Sequence, residues 1–350
     1  MAGKVVFMII YVAFIFLLIL FPSKFRLRGI NNIYLSIENC NAIKGIFILL
    51  IFASHFAIIY GRPYIHVLDT SYWRIRIALD QCVVVCYLFY SGYGIMASVS
   101  AKGMAYIRQF PRNRILQTLF IYDCSQALFL IFGIWCGYQY NIRQFIESFL
   151  AWKSFGNDNW YIFVIIGLYT ISWFVFRNER ANKASAMKIT IGTLMFMLLL
   201  ICAQKDSYWY NTMLCYPLGM WYYIYREKIE VVLKRDRYYF LTLGFIIIFY
   251  IIAHKFWKQS LAIYILTTWL FVLIIIFFTM KFEVKNRFLV YCGAHLQGLF
   301  LLHRLPMKFF KEFSIYTNNR YAWFILSVLL TFLLEFLFNQ LILCATNRER

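Results

Sequence analysis

One histidine is a candidate catalytic residue because it lies in an otherwise apolar stretch. His55 follows the run Phe47 to Ser54, in which only the last residue is polar. If this stretch is a helix, His55 lies roughly 20 Å along the axis from Ala42, because each residue adds about 1.5 Å. A neutral imidazole can accept a proton near physiological pH, as a general base must. A buried structural histidine is the alternative explanation.

A second candidate is the basic segment 108–114, Arg-Gln-Phe-Pro-Arg-Asn-Arg. Arg112 and Arg114 could bind phosphate oxygens, because a guanidinium group donates hydrogen bonds in a planar fork. An apolar run begins at Ile115, and free backbone N–H groups at the start of a helix would favour the same anion. The alternative is an ordinary basic loop beside a membrane.

The composition places these residues in a membrane protein. The chain has 350 residues, of which 63% are hydrophobic and 14% charged, against about 45–50% and about 25% in soluble domains. A soluble fold could not cover that much apolar surface. The net charge of +20 comes from Lys and Arg in small clusters between apolar runs. That distribution fits cytoplasmic loops and gives no support to a nucleic-acid partner.

Apolar runs long enough to cross about 30 Å of hydrocarbon predict an all-α polytopic membrane protein. We expect spans at 5–22, 42–60, 78–100, 115–137, 159–176, 189–203, 208–225, 238–253, 260–280, 288–305 and 322–343. Residues 1–37 would form an N-terminal transmembrane anchor and a basic linker. Residues 38–350 would form the main domain of about ten helices. The first run has no small-residue cleavage site, so we interpret it as a retained span and not as a signal peptide.

The positive-inside rule predicts the orientation of these spans. Most Lys and Arg residues fall on one side of the membrane if residues 23–41 are cytoplasmic. This orientation puts the C-terminus in the cytoplasm and the N-terminus outside, and it places His55 in the outer half of the membrane.

Ionisable residues within apolar runs are functional suspects, because charge is costly in lipid. Besides His55, this set contains Lys44, Asp80, Asp123, His295, His303, Arg304 and Glu335. Those near the ends of a run could reach the interface, and the deeper Asp123 and Glu335 could pair with a basic group on a neighbouring helix. The nine Cys form no C-x-x-C or Cys/His pattern, so we expect no metal site and no disulfide framework.

Four segments, in order, resemble the membrane-bound acyltransferase family 3, whose members are integral-membrane O-acyltransferases that modify sugars. The segments are Asn41–Ile46 leading to His55, Leu88–Tyr93, Arg112–Gln117 and Gly156–Ile162. They are similar to the family's opening that ends on His, its Ser-Gly-aromatic turn, its Arg-x-x-Arg motif and its Asn-Trp segment. Asn41, Lys44 and Gln117 depart from the Asp, Arg and Arg common in the family, and these departures concern the donor site more than the class.

The resemblance implies an acyl-CoA-dependent O-acetyltransferase that moves acetyl from cytoplasmic acetyl-CoA to a hydroxyl of a cell-surface or lipid-linked glycan. It implies a multi-pass protein of the bacterial cytoplasmic membrane, with the bilayer, the glycan and acyl-CoA as partners and no permanently bound cofactor. The implied site residues are the general base His55, its partner or oxyanion donor Ser91, the donor-binding Lys44, Arg112 and Arg114, and the acceptor-side Asn159 and Trp160.

Simpler roles stay open for several of these residues. Ser91 could belong to a Ser-Gly pair that packs helices. Asn159 and Trp160 could anchor a span at the interface.

Two other function classes fit the composition. A transporter or flippase of a lipid-linked polysaccharide intermediate would have repeat-like halves and a polar site at the midplane, and the sequence contains no visible repeat. A membrane assembly subunit would tolerate replacement of His55 and Arg114, with effects on stability alone. We expect the acyltransferase.

Overall fold

The computed structural model describes residues 7–60, 67–313 and 320–346. Its α-helices are α1 (Phe7–Leu20), α2 (Ile37–Tyr60), α3 (Val67–Leu79), α4 (Cys82–Phe110), α5 (Gln117–Trp135), α6 (Ile142–Phe149), α7 (Trp160–Phe176), α8 (Lys183–Cys202), α9 (Cys215–Leu233), α10 (Asp236–Phe256), α11 (Leu261–Lys281), α12 (Arg287–Ala294), α13 (Leu296–Leu302), α14 (Arg304–Glu312) and α15 (Arg320–Thr346). A π-helix covers Pro111–Leu116, a 3-10 turn covers Ser207–Trp209, and two short strands are β1 (Ser23–Phe25) and β2 (Phe282–Val284).

Six helical segments among the described residues are long and apolar enough to cross a membrane. They are Ile37–Ile59, Tyr72–Trp135, Lys183–Cys202, Asp236–Phe256, Leu261–Lys281 and Ala322–Ala345. Two shorter apolar helices cover Ile10–Leu20 and Trp160–Phe176. The expected all-α membrane fold is therefore confirmed. The total of ten core helices plus one, and the domain division after residue 37, stay predictions.

Glycines allow the closest helix pairs of the bundle to form. α2 packs along α12, and α4 packs along α9. A Cβ atom at Gly45 or Gly293 would collide with a backbone carbonyl of the partner helix, and one at Gly92 would collide with the carbonyl of Tyr216. Small residues permit such close approach between membrane helices. These contacts fix α2 and α4, which carry the predicted site residues His55, Lys44 and Ser91.

The two ends of the bundle differ in structure. At one end, β1 pairs antiparallel with β2, and Lys281 Nζ lies 2.8 Å from the carbonyl oxygen of Gly29 and 2.6 Å from Oδ1 of Asp236. We call this the strand end. The other end carries the short helices α3 and α6 and the last turns of α2, and we call it the His55 end. In the predicted orientation the strand end faces the cytoplasm.

The prediction of a loop between residues 100 and 115 is wrong. The chain stays helical from Cys82 to Trp135, apart from a kink at Gly103, whose φ is +53°. Ala, Lys, Met, Arg and Gln are frequent in this stretch, and these residues favour a helix. The basic segment is therefore part of a long helix and not a loop.

Pro111 explains the π-helix inside this long helix. A proline cannot donate to the carbonyl four residues earlier, and its ring needs extra space beside that carbonyl. A wider π-turn provides this space. Arg112 and Arg114 lie within the turn, so the expectation that they stand at the start of a helix with free backbone N–H groups is also wrong.

The predicted span 288–305 is broken twice. α12 ends before His295, α13 ends before His303, and α14 continues to Glu312. Pro306 explains the second break, because a proline cannot donate to the carbonyl four residues earlier, here that of Leu302, and its ring clashes with it. A histidine stands at each junction, and the backbone of His303 keeps helical φ and ψ values of −58° and −27°.

Candidate active site

His55 lies in the last turns of α2, at the His55 end of the bundle. Its side chain is 19% exposed. The preceding residue is held by α3, because Arg76 Nε donates to the carbonyl oxygen of Ser54 at 3.3 Å and to its Oγ at 3.0 Å. This contact fixes the backbone next to His55, so the imidazole is presented from a rigid element.

His303 determines which nitrogen of His55 carries a proton. His303 is fully buried, and its Nδ1 lies 2.8 Å from the carbonyl oxygen of Phe300. A carbonyl only accepts, so Nδ1 of His303 is the donor and Nε2 of the neutral ring is an acceptor. Nδ1 of His55 lies 2.5 Å from that Nε2 and therefore donates to it. The lone pair of neutral His55 is then on its Nε2.

The stacking of three rings fixes this geometry. The rings of His55 and His303 lie 4.8 Å apart between centroids, at 18°. On the other side, the ring of Phe52 stacks on His303 at 5.3 Å and 18°. His55 is the accessible member of the stack and His303 the enclosed one, so a substrate could reach His55 alone.

Asp158 supplies a negative charge beside the pair. It lies in the loop before α7, and its Oδ2 is 3.1 Å from His55 Nδ1 and 4.0 Å from His303 Nε2. Arg304 Nη1 donates to the other carboxylate oxygen at 2.6 Å. Burial raises the pKa of Asp158, but the facing His55, Arg304 and His303 outweigh burial and hold that pKa well below its usual range.

Together these groups can perform general base catalysis. Nε2 of His55 can take a proton, and the carboxylate of Asp158 stabilises the imidazolium that forms. His55, Asp158 and His303 could also be considered as metal ligands, because their ligand atoms lie within 4.8 Å of one another. The 2.5 Å between the two nitrogens fits an N–H···N hydrogen bond better, since two ligands of one tetrahedral zinc stand about 3.3 Å apart.

Lys44 and Arg114 lie nearer the strand end than His55, and we call the region between them the Lys44–Arg114 cleft. Their charges lie within Coulombic range, and Arg114 is also close to Tyr169 and Tyr216. Arg114 Nε donates to the hydroxyl of Tyr106 at 3.2 Å. Two cations lined by tyrosine hydroxyls form a site that can bind an anionic group such as a phosphate.

The structure brings Ser91 to this cleft and leaves Arg112 outside it. Ser91 Oγ lies 2.9 Å from the hydroxyl of Tyr169, which is one of the groups near Arg114. Arg112 and Arg114 are both exposed, but they are two residues apart, a spacing at which helical side chains do not share a face. The catalytic role predicted for Ser91 and the donor-binding roles stay predictions.

Asn159 and Trp160 directly follow Asp158 in the chain. We call His55, Asp158, His303 and Arg304 the His55 cluster. The side chain of Asn159 donates to the carbonyl oxygen of Ala151 at 2.7 Å. The ring of Trp160 contacts the ring of Tyr208 at 5.9 Å between centroids. Asn159 holds the local loop together, and Trp160 forms part of an aromatic surface at the His55 end; their acceptor-side role stays a prediction.

A cavity of about 450 Å³ lies one turn beyond the cluster. Its lining includes Ile59, which is one helical turn from His55, and Lys308, which is one turn from Arg304. Tyr138 and Tyr140 add hydroxyl groups to the wall. Neither His55 nor Asp158 is part of its lining, so the cavity could receive a sugar about one helical turn away from His55.

Two of the other ionisable groups of the apolar runs, Glu335 and Asp80, have local partners. Glu335 pairs with His295 at 2.7 Å, as a structural pairing would require. Asp80 Oδ2 accepts from the hydroxyl of Tyr264 at 3.1 Å. Asp123 Oδ1 is buried without a hydrogen-bond partner among the described residues.

Asp158 is the site residue that sequence reasoning missed. The residue stands inside the segment Gly156–Ile162, directly before the Asn-Trp pair that carries the family resemblance. His303 and Arg304 were recognised as ionisable groups in an apolar run without a role. The available indication was the Asp-Asn-Trp order before a span, which puts a carboxylate at the same membrane level as His55.

Comparison with known families gives the class of the protein. The family model of acyltransferase family 3, described as an acyltransferase domain, matches residues 37–340. Comparison with curated proteins and with solved structures gives no match. The matched region contains the His55 cluster and the Lys44–Arg114 cleft, and it covers nearly the whole chain. The chain therefore belongs to the acyltransferase family 3.

Proposed function

We propose that this membrane acyltransferase transfers an acetyl group from cytoplasmic acetyl-CoA to a hydroxyl of a cell-surface or lipid-linked glycan, with His55 as general base. The observation that carries the proposal is the orientation of His55. Its Nδ1 is held by His303 beside Asp158, and its Nε2 is left with a lone pair. The protein would lie in the bacterial cytoplasmic membrane with the His55 end outward.

The donor is proposed to bind along α2. Lys44 and Arg114 would hold its phosphates, and Ser91 and Tyr169 would line the same cleft. His55 is eleven residues beyond Lys44, which is about three helical turns and about 16 Å along the axis. The two side chains therefore project from nearly the same face of α2, and an extended thioester arm could follow that face from the cleft to the base.

The acceptor is proposed to enter from the His55 end. Arg304 Nε is buried without a hydrogen-bond partner among the described residues. Polar atoms in that state favour a ligand with hydroxyl groups. The cavity beyond Ile59 and Lys308 would contain the sugar, with one hydroxyl directed at His55 Nε2.

The proposed reaction is direct transfer. Nε2 of His55 removes the hydroxyl proton as the sugar oxygen attacks the thioester carbonyl, and the C–S bond then breaks. The leaving thiolate takes the proton from the imidazolium, so the products are the O-acyl sugar and free thiol. Asp158 stabilises the charged imidazole between these steps. Transport of a lipid-linked glycan, the alternative class, is not favoured by the family match.

The test is transfer of labelled acetyl from acetyl-CoA by membranes that contain the protein. We expect label in the glycan fraction that mild alkali releases, as it releases an O-ester. Membranes without the protein are the control. Label that resists mild alkali, or equal label in the control membranes, would contradict the proposal.

A further inference from the structure

A second cavity opens at the His55 end, away from the His55 cluster. It has a volume of about 560 Å³ and lies between the 3-10 turn, the start of α4 and the loop that joins α10 to α11. The lining residues used below are Asp80, Gln81, Tyr208, Asn211, Trp257 and Tyr264. None of these residues has a part in the proposed reaction.

Two of the lining side chains have unused hydrogen-bonding capacity. Asn211 is 5% exposed, and its Oδ1 has no hydrogen-bond partner among the described residues. Gln81 Oε1 is in the same state, although its Nε2 donates to the carbonyl oxygen of Tyr208 at 3.3 Å. Buried polar atoms without partners are costly, so each such atom in a native site requires an explanation.

Asp80 adds a third polar group in a constrained position. Its φ is +39°, which is uncommon for a residue other than glycine. The hydroxyl of Tyr264 donates to its Oδ2 at 3.1 Å. The carboxylate is thus held on the wall of the cavity, and strain of this kind is concentrated at functional sites.

An aromatic surface forms the adjoining wall. The rings of Trp257 and Tyr264 stack at 5.1 Å and 11°, and the ring of His254 also stacks on Trp257, at 4.6 Å and 21°. A flat apolar surface beside amide and carboxylate groups matches a pyranose ring, which has an apolar C–H face and hydroxyl groups at its edge. Lys258 balances the charge of Asp80, so the cavity favours a neutral sugar.

Tyr208 links this cavity to the proposed active site. It lines the cavity, and its ring contacts Trp160, two residues after Asp158. The hydroxyl of Tyr208 also lies within Coulombic range of Asp158. A glycan chain that places one sugar at His55 could therefore place another sugar of the same chain here.

We propose that this cavity is a second subsite for the acceptor, which binds a neutral sugar residue of the glycan chain at a distance from the residue that is acylated. The proposal rests on the proposed function for the identity of the acceptor. It would make the enzyme prefer a chain over a single sugar, because the energy of binding at the second subsite is available only to a chain.

Binding tests the subsite without any need for catalysis. The purified full chain in lipid nanodiscs is titrated with neutral tetrasaccharides of glucose, galactose and N-acetylglucosamine, and binding is followed by calorimetry. We expect a tetrasaccharide of the panel to bind the wild-type protein. Asn211→Ala and Trp257→Ala should each weaken that binding by about tenfold or more. Trp135→Ala, at an exposed tryptophan outside the cavity, is the matched control and should bind as wild type.

Folding is controlled in two ways. Asn211 Oδ1 makes no hydrogen bond among the described residues, so Asn211→Ala removes none at that atom. Trp257→Phe keeps an aromatic face and should restore most of the affinity lost in Trp257→Ala. Wild-type affinity in both alanine variants, or a wild-type protein that binds no tetrasaccharide of the panel, would overturn the subsite.

Kinetics separate failure of the subsite from failure of the proposed function. With a tetrasaccharide acceptor, Asn211→Ala should raise the KM by about tenfold, which is about 1.4 kcal/mol, and should raise the KM for the single sugar far less. Equal KM changes for both acceptors would reject the subsite while the function stands. Binding of a tetrasaccharide without any acyl transfer would reject the function and leave the subsite in place.

Discussion

At the scale of residues, the basicity of His55 is directed by its neighbours. His303 cannot act as a base toward substrate, because it is fully buried and both of its nitrogens are engaged, one by Phe300 and one by His55. Its effect is to keep the proton of neutral His55 on Nδ1. Asp158 then acts on the charged form of the same ring.

This arrangement predicts that His303 is a positioning residue. His303→Phe removes the acceptor for His55 Nδ1, so kcat should fall by about tenfold to a hundredfold, with the KM values for donor and acceptor nearly unchanged. His303→Gln restores an acceptor oxygen and should recover part of the loss. The test is to measure kcat and KM of both variants by steady-state kinetics. Equal losses in both, or a loss confined to KM, would show that His303 does not position the base.

A second prediction at this scale concerns Asp158 and pH. The pKa of Asp158 is lowered in the folded protein, so its charge is complete above the ordinary pKa of about 3.9 and is lost only below it. Asp158→Asn should therefore lower kcat by about a hundredfold or more at every pH between about 5 and 9. The measurement is the pH–rate profile. A variant that regained wild-type activity at any pH in this range would contradict the assignment.

At the scale of elements, irregular helices direct the functional side chains. The π-turn at Pro111–Leu116 directs Arg114 toward the tyrosines of the cleft, and the break between α13 and α14 brings His303 and Arg304 to Asp158. A regular α-helix at Pro111–Leu116 would change the direction of the Arg114 side chain. The positioning of Arg114 thus depends on a departure from regular geometry.

The π-turn gives a prediction with a matched control two residues away. Arg114→Ala should raise the KM for acetyl-CoA by about tenfold or more, because a cation facing the donor phosphates is lost. Arg112→Ala, exposed and on a different face, should change that KM by less than about twofold. Equal effects would mean that general positive charge, and not the cleft, attracts the donor.

The contact between α4 and α9 gives a prediction about stability. Gly92→Ala places a methyl group against the carbonyl of Tyr216 and should destabilise the protein by about 1–3 kcal/mol. Gly244→Ala is the control, since nothing lies within 4 Å of a Cβ at that position of α10; it should be neutral or stabilising by up to about 1 kcal/mol. Thermal unfolding in detergent measures both. Equal stability of the two variants would refute the close-packing account.

At the scale of the whole molecule, composition was sufficient for the class of fold. An apolar majority in runs of membrane-spanning length leaves few alternatives, and His55 was identifiable because a polar side chain in such a run is costly. The segment after residue 100 was misjudged because charged residues suggested a loop, although most of them also favour a helix.

The partners of His55 were beyond sequence reasoning for a different physical reason. Asp158 and His303 are separated from it by 103 and 248 positions along the chain, and only the packed bundle brings the three together. Ser91 shows the converse effect. The structure connects it with Tyr169 in the Arg114 cleft, whereas its sequence motif suggested a place beside the catalytic base.

The most direct test of the central claim compares wild type with His55→Ala in the same acetyl-transfer assay. His295→Asn, which alters another histidine of the membrane region, is the control, and all three proteins are matched for amount in the membrane. We expect transfer to fall by about a hundredfold or more in His55→Ala, since the base is lost, and to persist in His295→Asn. Transfer by His55→Ala at the wild-type rate would contradict the assignment of His55 as general base.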